Sequence, residues 1–109
     1  MPDRQTPSTV CPLTPWLKFL GRVWMPEVLV LLAEGGPLHF AALRRAVPGG
    51  VSVRMLSLRL KQLCDAGLVQ RDPTAEARRR VFYALTPAGQ QVDVLLRQLE
   101  RALPTPPAA

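Results

Sequence analysis

The segment from Phe40 to Leu85 constrains this chain most, because its apolar residues change from a helical spacing to the spacing of strands. A short helical pattern ends at Pro48-Gly49-Gly50, and a longer one follows, capped by Ser52 and ended by Gly67. After Gly67, two short apolar or alternating stretches are joined by a polar loop, Asp72 to Arg80; these stretches are Leu68 to Arg71 and Val81 to Leu85. The sequence therefore predicts a helix, a turn, a longer helix and a hairpin.

The longer helix, Ser52 to Ala66, has two chemically different faces. At 3.6 residues per turn, Leu56, Leu60 and Leu63 share one face. The opposite face is largely basic and consists of Arg54, Leu58 and Lys61. We expect the leucine face to join a core and the other face to meet something outside the domain.

Further helices are predicted on both sides of this segment. Thr14-Pro15 and Thr86-Pro87 each combine a hydroxyl cap with a helix-starting proline, and Pro26 starts another helix. The first and last helices carry apolar stripes: Leu13, Trp16, Leu17 and Leu20 before Gly21, and Val92, Leu95, Leu96, Leu99 and Leu103. We expect one mainly α-helical domain with a small β-hairpin over residues 11–103, between disordered tails at 1–10 and 104–109.

Composition and charge restrict the classes of protein to which this chain can belong. The net charge of +6 and pI near 10.7 come mostly from arginine, which favours a polyanionic partner, although a solvated Arg-rich surface would give the same balance. Apolar runs are far shorter than the ~20 residues of a membrane span, so we expect a cytoplasmic protein without membrane contact. Two distant cysteines and a single histidine predict no disulfide framework, metal or other cofactor. No catalytic constellation is visible, which argues against an enzyme.

The predicted element order is that of a winged helix-turn-helix, and the chain resembles the HxlR-type branch of the MarR-like winged-helix transcription regulators of bacteria. The matching residues run in order from Cys11 to Leu103. They are Cys11-Pro12, Leu20-Gly21, Trp24, Gly36-Pro37, Phe40, Leu43, Met55-Leu56, Arg59-Leu60, Gly67-Leu68-Val69, Val81, Tyr83, Leu85-Thr86 and Gly89. Departures fall on the turn, the longer helix and the loop: Ala41, Ala42, Gly50, Leu58, Arg78 and Arg79. These departures affect which DNA sequence the protein would recognise, and they affect the predicted fold less.

The resemblance implies a homodimeric transcription regulator that binds specific sequences of double-stranded DNA and acts as a repressor. In such a module the longer helix lies in the major groove, with Ser52, Arg54, Ser57 and Leu58 near base edges and Arg59 and Lys61 on flanking phosphates. The arginines of the loop, or wing, suit the minor groove or its phosphates: Arg78, Arg79 and Arg80. The plainer alternatives are a solvated helix face and a charged disordered loop.

In the resembling family the terminal helices form the dimer interface, which here implies Trp16, Leu17, Leu20, Val92, Leu95, Leu96, Leu99 and Leu103. Packing within one chain is the alternative, mainly for Trp16. Cys11 stands where some members carry a redox-sensing thiol, so an oxidant is one candidate effector, but an unreactive apolar cysteine would also fit. The other candidate effector is a small molecule between the dimer helices and the DNA-reading helices. A different class of protein, a winged-helix adaptor without specific DNA binding, is the alternative function.

Overall fold

The computed structural model describes residues 11–72 and 81–106. This part of the chain contains five helices and three strands. They are α1 (Thr14–Leu20), α2 (Met25–Gly35), β1 (Leu38–His39), α3 (Phe40–Ala46), α4 (Val53–Asp65), β2 (Val69–Asp72), β3 (Phe82–Leu85) and α5 (Pro87–Ala102). The expected mainly helical domain with a β-hairpin is confirmed. Among the described residues, no helix is both long and apolar enough to cross a membrane.

The core lies between α2, α3, α4 and the first residues of β2. Each helix contributes the apolar residues of one face, and these faces pack together around α2. The fully or nearly fully buried side chains include Val28, Leu29, Leu32, Leu43, Leu56, Leu60 and Leu63. The predicted core face of α4 is therefore confirmed.

The hairpin is part of a three-stranded antiparallel sheet in the order β1-β3-β2. Val69 pairs with Leu85 in the hairpin, and Leu38 pairs with Tyr83 on the other edge of β3. The sequence prediction of two strands missed β1, because a two-residue strand leaves no alternation to detect. His39, the second residue of β1, also caps α3: its Nδ1 accepts a hydrogen bond from the Ala42 N–H at 3.2 Å.

The starts of four helices differ in how they are capped. Ser52 and Thr86 cap α4 and α5 as predicted, accepting hydrogen bonds from the N–H groups of Met55 and Gly89, both at 3.0 Å. Thr14 was predicted as a cap, and this is wrong, because the helix begins at Thr14 itself and the residue before it is Leu13. Trp24, which precedes α2, adopts a left-handed backbone with φ 70°, a conformation uncommon for a bulky side chain.

Some sequence expectations concern residues outside the described ranges. The predicted wing arginines Arg78, Arg79 and Arg80 and the predicted tail 1–10 belong to this group. Of the predicted tail 104–109, residues 104–106 are described and exposed, and they follow the end of α5. The domain limits 11–103 stay a prediction.

Candidate nucleic-acid interface

The turn between α3 and α4 is held by an arginine that the sequence analysis did not single out. Gly49 and Gly50 have φ values of 81° and 83°, which glycine adopts without steric cost. Across this turn, the Arg44 Nε donates a hydrogen bond to the Val51 carbonyl oxygen at 2.9 Å. The two glycines and this hydrogen bond together shape the turn from which α4 starts. The only signal in the sequence is the pair of basic residues in the last turn of α3, Arg44 and Arg45. Such a pair would equally be explained by its favourable interaction with the helix dipole.

Four residues form what we call the outer face of α4: Arg54, Ser57, Leu58 and Lys61. They follow the spacing i, i+3, i+4 and i+7, and all four are exposed, with 43% of Leu58 accessible. Arg54 has no hydrogen-bond or ion-pair partner within the described part of the chain, so its guanidinium is available to a ligand. Ser52, also exposed, lies at the start of the same helix. The structure thus brings together five of the predicted DNA-contact residues.

Two of the predicted contacts of α4, Lys61 and Arg59, already have partners within the chain. Lys61 forms an exposed ion pair with Asp65, with Nζ and Oδ2 separated by 3.0 Å. Such a pair contributes little to stability and is readily exchanged for a phosphate. Arg59 is half-buried and lies away from the outer face: its Nε donates to the Val23 carbonyl oxygen at 2.7 Å and its Nη1 to Gln62 Oε1 at 2.8 Å. Its contact with a phosphate stays a prediction.

The described part of the hairpin adds one basic residue that sequence reasoning missed. Arg71 is exposed in β2, where it pairs across the sheet with Tyr83. In the sequence it lies next to the loop, Asp72 to Arg80, that contains the predicted arginines. A lone arginine in a short strand gives no sequence signal until the register of the strand is known.

The apolar stripes of α1 and α5 divide into two groups. Leu20, Val92 and Leu96 pack partly against the core. The remaining predicted interface residues are exposed and form what we call the terminal-helix surface: Trp16, Leu17, Leu95, Leu99 and Leu103, which are 45% to 60% accessible. Trp16 contacts the Phe19 ring edge-on, with ring centroids 5.7 Å apart, so part of its packing is within the chain, as the alternative for this residue anticipated.

The two cysteines differ in their surroundings. Cys11 is exposed just before α1. Cys64 is half-buried near the end of α4, where burial raises the pKa of its thiol. The Asp65 charge raises it further, whereas Arg71 acts in the opposite direction. Thiolates are the reactive form, so Cys64 is the less reactive thiol by environment.

Comparisons with known proteins agree with this geometry. Residues 19–103 match the HxlR-like helix-turn-helix family. An HTH-type transcriptional regulator of Halalkalibacterium halodurans, BH0655, is 32% identical over 83 residues, which are 76% of this chain and 73% of that protein. The regulator YtfH of Escherichia coli is 39% identical over 82 residues, which are 75% of this chain and 64% of YtfH.

Solved structures show the same fold. The reduced form of the transcriptional regulator YodB from Bacillus subtilis superposes with a TM-score of 0.74 at 27% identity, covering 84% of this chain and 89% of YodB. YodB has also been solved with a bound quinone and after treatment with diamide. Because members of the matching family are DNA-binding regulators and not enzymes, the prediction of a non-enzyme is confirmed. This chain belongs to the HxlR-like helix-turn-helix family of transcription regulators.

Proposed function

We propose that this protein binds promoter DNA as a homodimer and represses transcription by occupying the promoter. The observation that supports it is the outer face of α4, an exposed and mostly polar row that begins with Arg54, which has no partner among the described residues. A helix-turn-helix places this part of its second helix against base edges in the major groove. The basic hairpin then reaches the flanking backbone or minor groove through Arg71 and the predicted Arg78, Arg79 and Arg80.

The residues of the outer face suit different parts of the groove. Arg54 has the planar fork that bonds guanine O6 and N7, and Leu58 offers an apolar contact to a thymine methyl group. Ser52 and Ser57 are short hydroxyls able to bond bases or backbone, and Lys61 supplies a cation for a phosphate. In this arrangement Arg54 and Leu58 determine sequence preference, whereas Lys61 contributes affinity without preference.

A homodimer is supported by the terminal-helix surface. Leu95 and Leu99 expose 57% and 49% of their area one helical turn apart, a patch that a second copy would remove from water. Two copies related by a twofold axis would present two α4 helices to successive major grooves, about 34–36 Å apart. The operator is therefore expected to be palindromic, with half-sites one helical turn apart.

The test is fluorescence anisotropy of the purified protein on its own upstream DNA and on a scrambled duplex, at two salt concentrations. We expect tight, salt-sensitive binding to the first duplex, which Arg54→Ala weakens by about tenfold or more for each half-site, because the homodimer loses one bidentate base contact in each. The control is Arg101→Ala, which removes the same charge from an exposed position in the last turn of α5. This control should keep sequence preference intact.

Salt dependence separates direct contacts from internal ones. Loss of one phosphate contact reduces the magnitude of the slope of log K against log salt by about 0.9, and a substitution in a homodimer removes the contact from both subunits, so the expected change is about 1.8. Lys61→Ala should show this change, whereas Arg59→Ala should show it only if the Arg59 side chain leaves Val23 for the DNA. Equal weak binding to both duplexes, unchanged by Arg54→Ala, would instead identify a winged-helix adaptor.

We also infer that oxidation of Cys11 releases the DNA. The support is the exposure of Cys11 next to α1, together with the fold shared with YodB, which has been solved with a quinone and after diamide treatment. Two Cys11 thiols, one from each subunit, would form a disulfide while two electrons and two protons pass to the oxidant. Such a bond would change the separation of the two α4 helices.

This inference is tested by diamide treatment followed by DNA binding and non-reducing electrophoresis. The wild type should form a covalent dimer and lose affinity for its operator, and Cys11→Ser should do neither. Cys64→Ser is the matched control, because burial makes Cys64 the less reactive thiol. Retention of full affinity by the oxidised wild type, or loss of the covalent dimer in Cys64→Ser, would contradict a Cys11 switch.

A further inference from the structure

A cleft between α2, β3 and α5 has no role in the proposed DNA contacts. Its volume is about 380 Å³, and it includes the α2–β1 junction. Its walls are partly apolar and partly polar, with two polar side chains from α5: the lining includes Leu32, Ala33, Pro37, Ala84, Gln90 and Asp93. The cleft is therefore able to hold a small molecule with an apolar body.

Asp93 is the unusual member of this lining. It is the only buried charged residue in the described part of the chain, with 8% of its area accessible. Its Oδ2 accepts a hydrogen bond from Arg97 Nε at 2.9 Å. Its Oδ1 is shielded from solvent and has no hydrogen-bond partner among the described residues. An unsatisfied buried acceptor is costly, and a charged one more so, which makes Oδ1 a strong acceptor for an incoming donor.

The charges around Asp93 favour a cation. Arg97 also reaches Glu34 of α2, with Nη2 and Oε2 separated by 3.5 Å, so one guanidinium is shared by two carboxylates. The hydrogen bond and the charge of Asp93 raise the pKa of Arg97 above its usual value, so Arg97 stays protonated. The three groups together carry a net negative charge beside a partly apolar cleft. Such a combination selects against carboxylates and phosphates.

We propose that this cleft, the Asp93 cleft, binds a small organic ammonium ion. The apolar body would lie against Leu32, Ala33 and Ala84, and a small rotation of the Asp93 side chain would bring Oδ1 to the cleft, where one ammonium hydrogen would bond it. A charge-assisted hydrogen bond of this kind is stronger than one between neutral groups. The cleft thus accepts a primary amine with a compact apolar group.

The position of the cleft also indicates what binding would do. Its walls belong to α5, which contributes to the terminal-helix surface, and to β3, the central strand of the wing sheet. A ligand between them would favour one arrangement of the dimer helices relative to the DNA-reading elements. This second step rests on the proposed function, whereas the binding of the amine does not.

The test uses benzylammonium as the probe and benzyl alcohol and benzoate as its neutral and anionic counterparts. The wild type, labelled with ¹⁵N, is titrated with each while backbone amide shifts are followed. We expect saturable shifts with benzylammonium, confined to amides around the cleft, such as Ala33, Ala84, Gln90 and Val94. Benzyl alcohol should bind at least about tenfold more weakly, since it lacks the charge-assisted bond.

Asp93→Asn is the matching variant, and Glu100→Gln removes an acid of the same helix from an exposed position. The first should weaken benzylammonium binding by about tenfold or more, and the second should leave it unchanged. If Asp93→Asn fails to fold, the comparison of benzylammonium with benzyl alcohol on the wild type still decides. Equal affinity for both compounds, or shifts that neither saturate nor localise, would overturn the proposal.

Operator binding measured with and without benzylammonium tests the second step. A changed affinity in the wild type that is absent in Asp93→Asn would support it. Unchanged operator affinity with the cleft occupied would overturn the regulatory role while the binding site stands. A protein that binds no operator at all would overturn the proposed function and leave the amide-shift result as the measure of the cleft.

Discussion

At the scale of single residues, Gly89 shows how one missing side chain fixes the position of a helix. It is buried in the first turn of α5, where its N–H bonds the Thr86 side chain. A Cβ atom placed on Gly89 would collide with the Leu68 carbonyl oxygen and approach the Leu85 side chain. The close approach of α5 to the start of the hairpin therefore requires glycine, although glycine is a poor helix former.

Gly89→Ala should lower the free energy of unfolding by about 1–3 kcal/mol, because the added methyl group meets backbone and cannot be relieved by a rotamer change. The gain in helix propensity, about 1 kcal/mol, is too small to compensate. Urea denaturation followed by circular dichroism measures the change. Ala88→Gly, at the exposed neighbouring position, isolates the propensity effect and should cost no more than about 1 kcal/mol. A more stable Gly89→Ala protein would contradict this account of the joint.

At the scale of elements, Thr86 joins the end of α4, the hairpin and the start of α5. Its Oγ1 accepts the Gly89 N–H at 3.0 Å and donates to the Gly67 carbonyl oxygen at 2.6 Å. Its own N–H donates to the Leu68 carbonyl oxygen at 3.0 Å. One residue thus caps α5 and ties it to the segment that follows α4.

Thr86→Val keeps the shape of the side chain but removes both hydroxyl bonds. We expect a loss of about 2 kcal/mol, the sum of a helix cap and a second hydrogen bond. Thr86→Ser keeps the hydroxyl and should cost less than about 1 kcal/mol. Thermal and urea unfolding of the two variants provide the comparison. Equal stability of the valine and serine variants would show that the hydroxyl bonds contribute nothing.

At the scale of the whole molecule, the exposed residues form two surfaces of different chemistry. The outer face of α4 is mainly polar, whereas the terminal-helix surface is apolar and made from the two ends of the domain. A small domain can bury only part of its apolar surface in its own core. A contiguous apolar patch that stays exposed is therefore typical of a site where another molecule binds. The proposed assembly gives each surface its own partner, DNA for one and a second copy for the other.

Leu99→Glu should convert the proposed dimer into a monomer, because the twofold axis places the buried charge in the interface twice. We expect the dissociation constant of the dimer to rise by about tenfold or more and operator affinity to fall with it. Sedimentation velocity over a range of concentrations measures the first effect. Leu58→Glu is the matched control for the sedimentation measurement only, since it adds the same charge at a similarly exposed leucine outside the terminal-helix surface but within the proposed DNA contacts. Dimerisation unaffected by Leu99→Glu would contradict the assignment of that surface.

Local signals predicted most of the fold. The leucine spacing of α4, the caps at Ser52 and Thr86 and the glycines at 49, 50 and 67 act within a few residues, so the sequence alone specifies those helices and their ends. The same spacing assigned the outer face of α4, because burial of one helix face leaves the opposite face exposed. The ordered combination of these elements also determined the family.

Contacts between distant segments were decided only by the tertiary structure. β1 exists because β3 offers it an edge, and Arg59 has a hydrogen-bond partner within the chain because the Val23 carbonyl, 36 residues away in the sequence, lies within its reach. The stripe of α5 splits into core and exposed leucines according to where α2 packs, and Asp93 becomes buried by the same packing. Sequence periodicity assigns residues to a face of a helix, but which neighbour covers that face depends on long-range packing that no local pattern encodes.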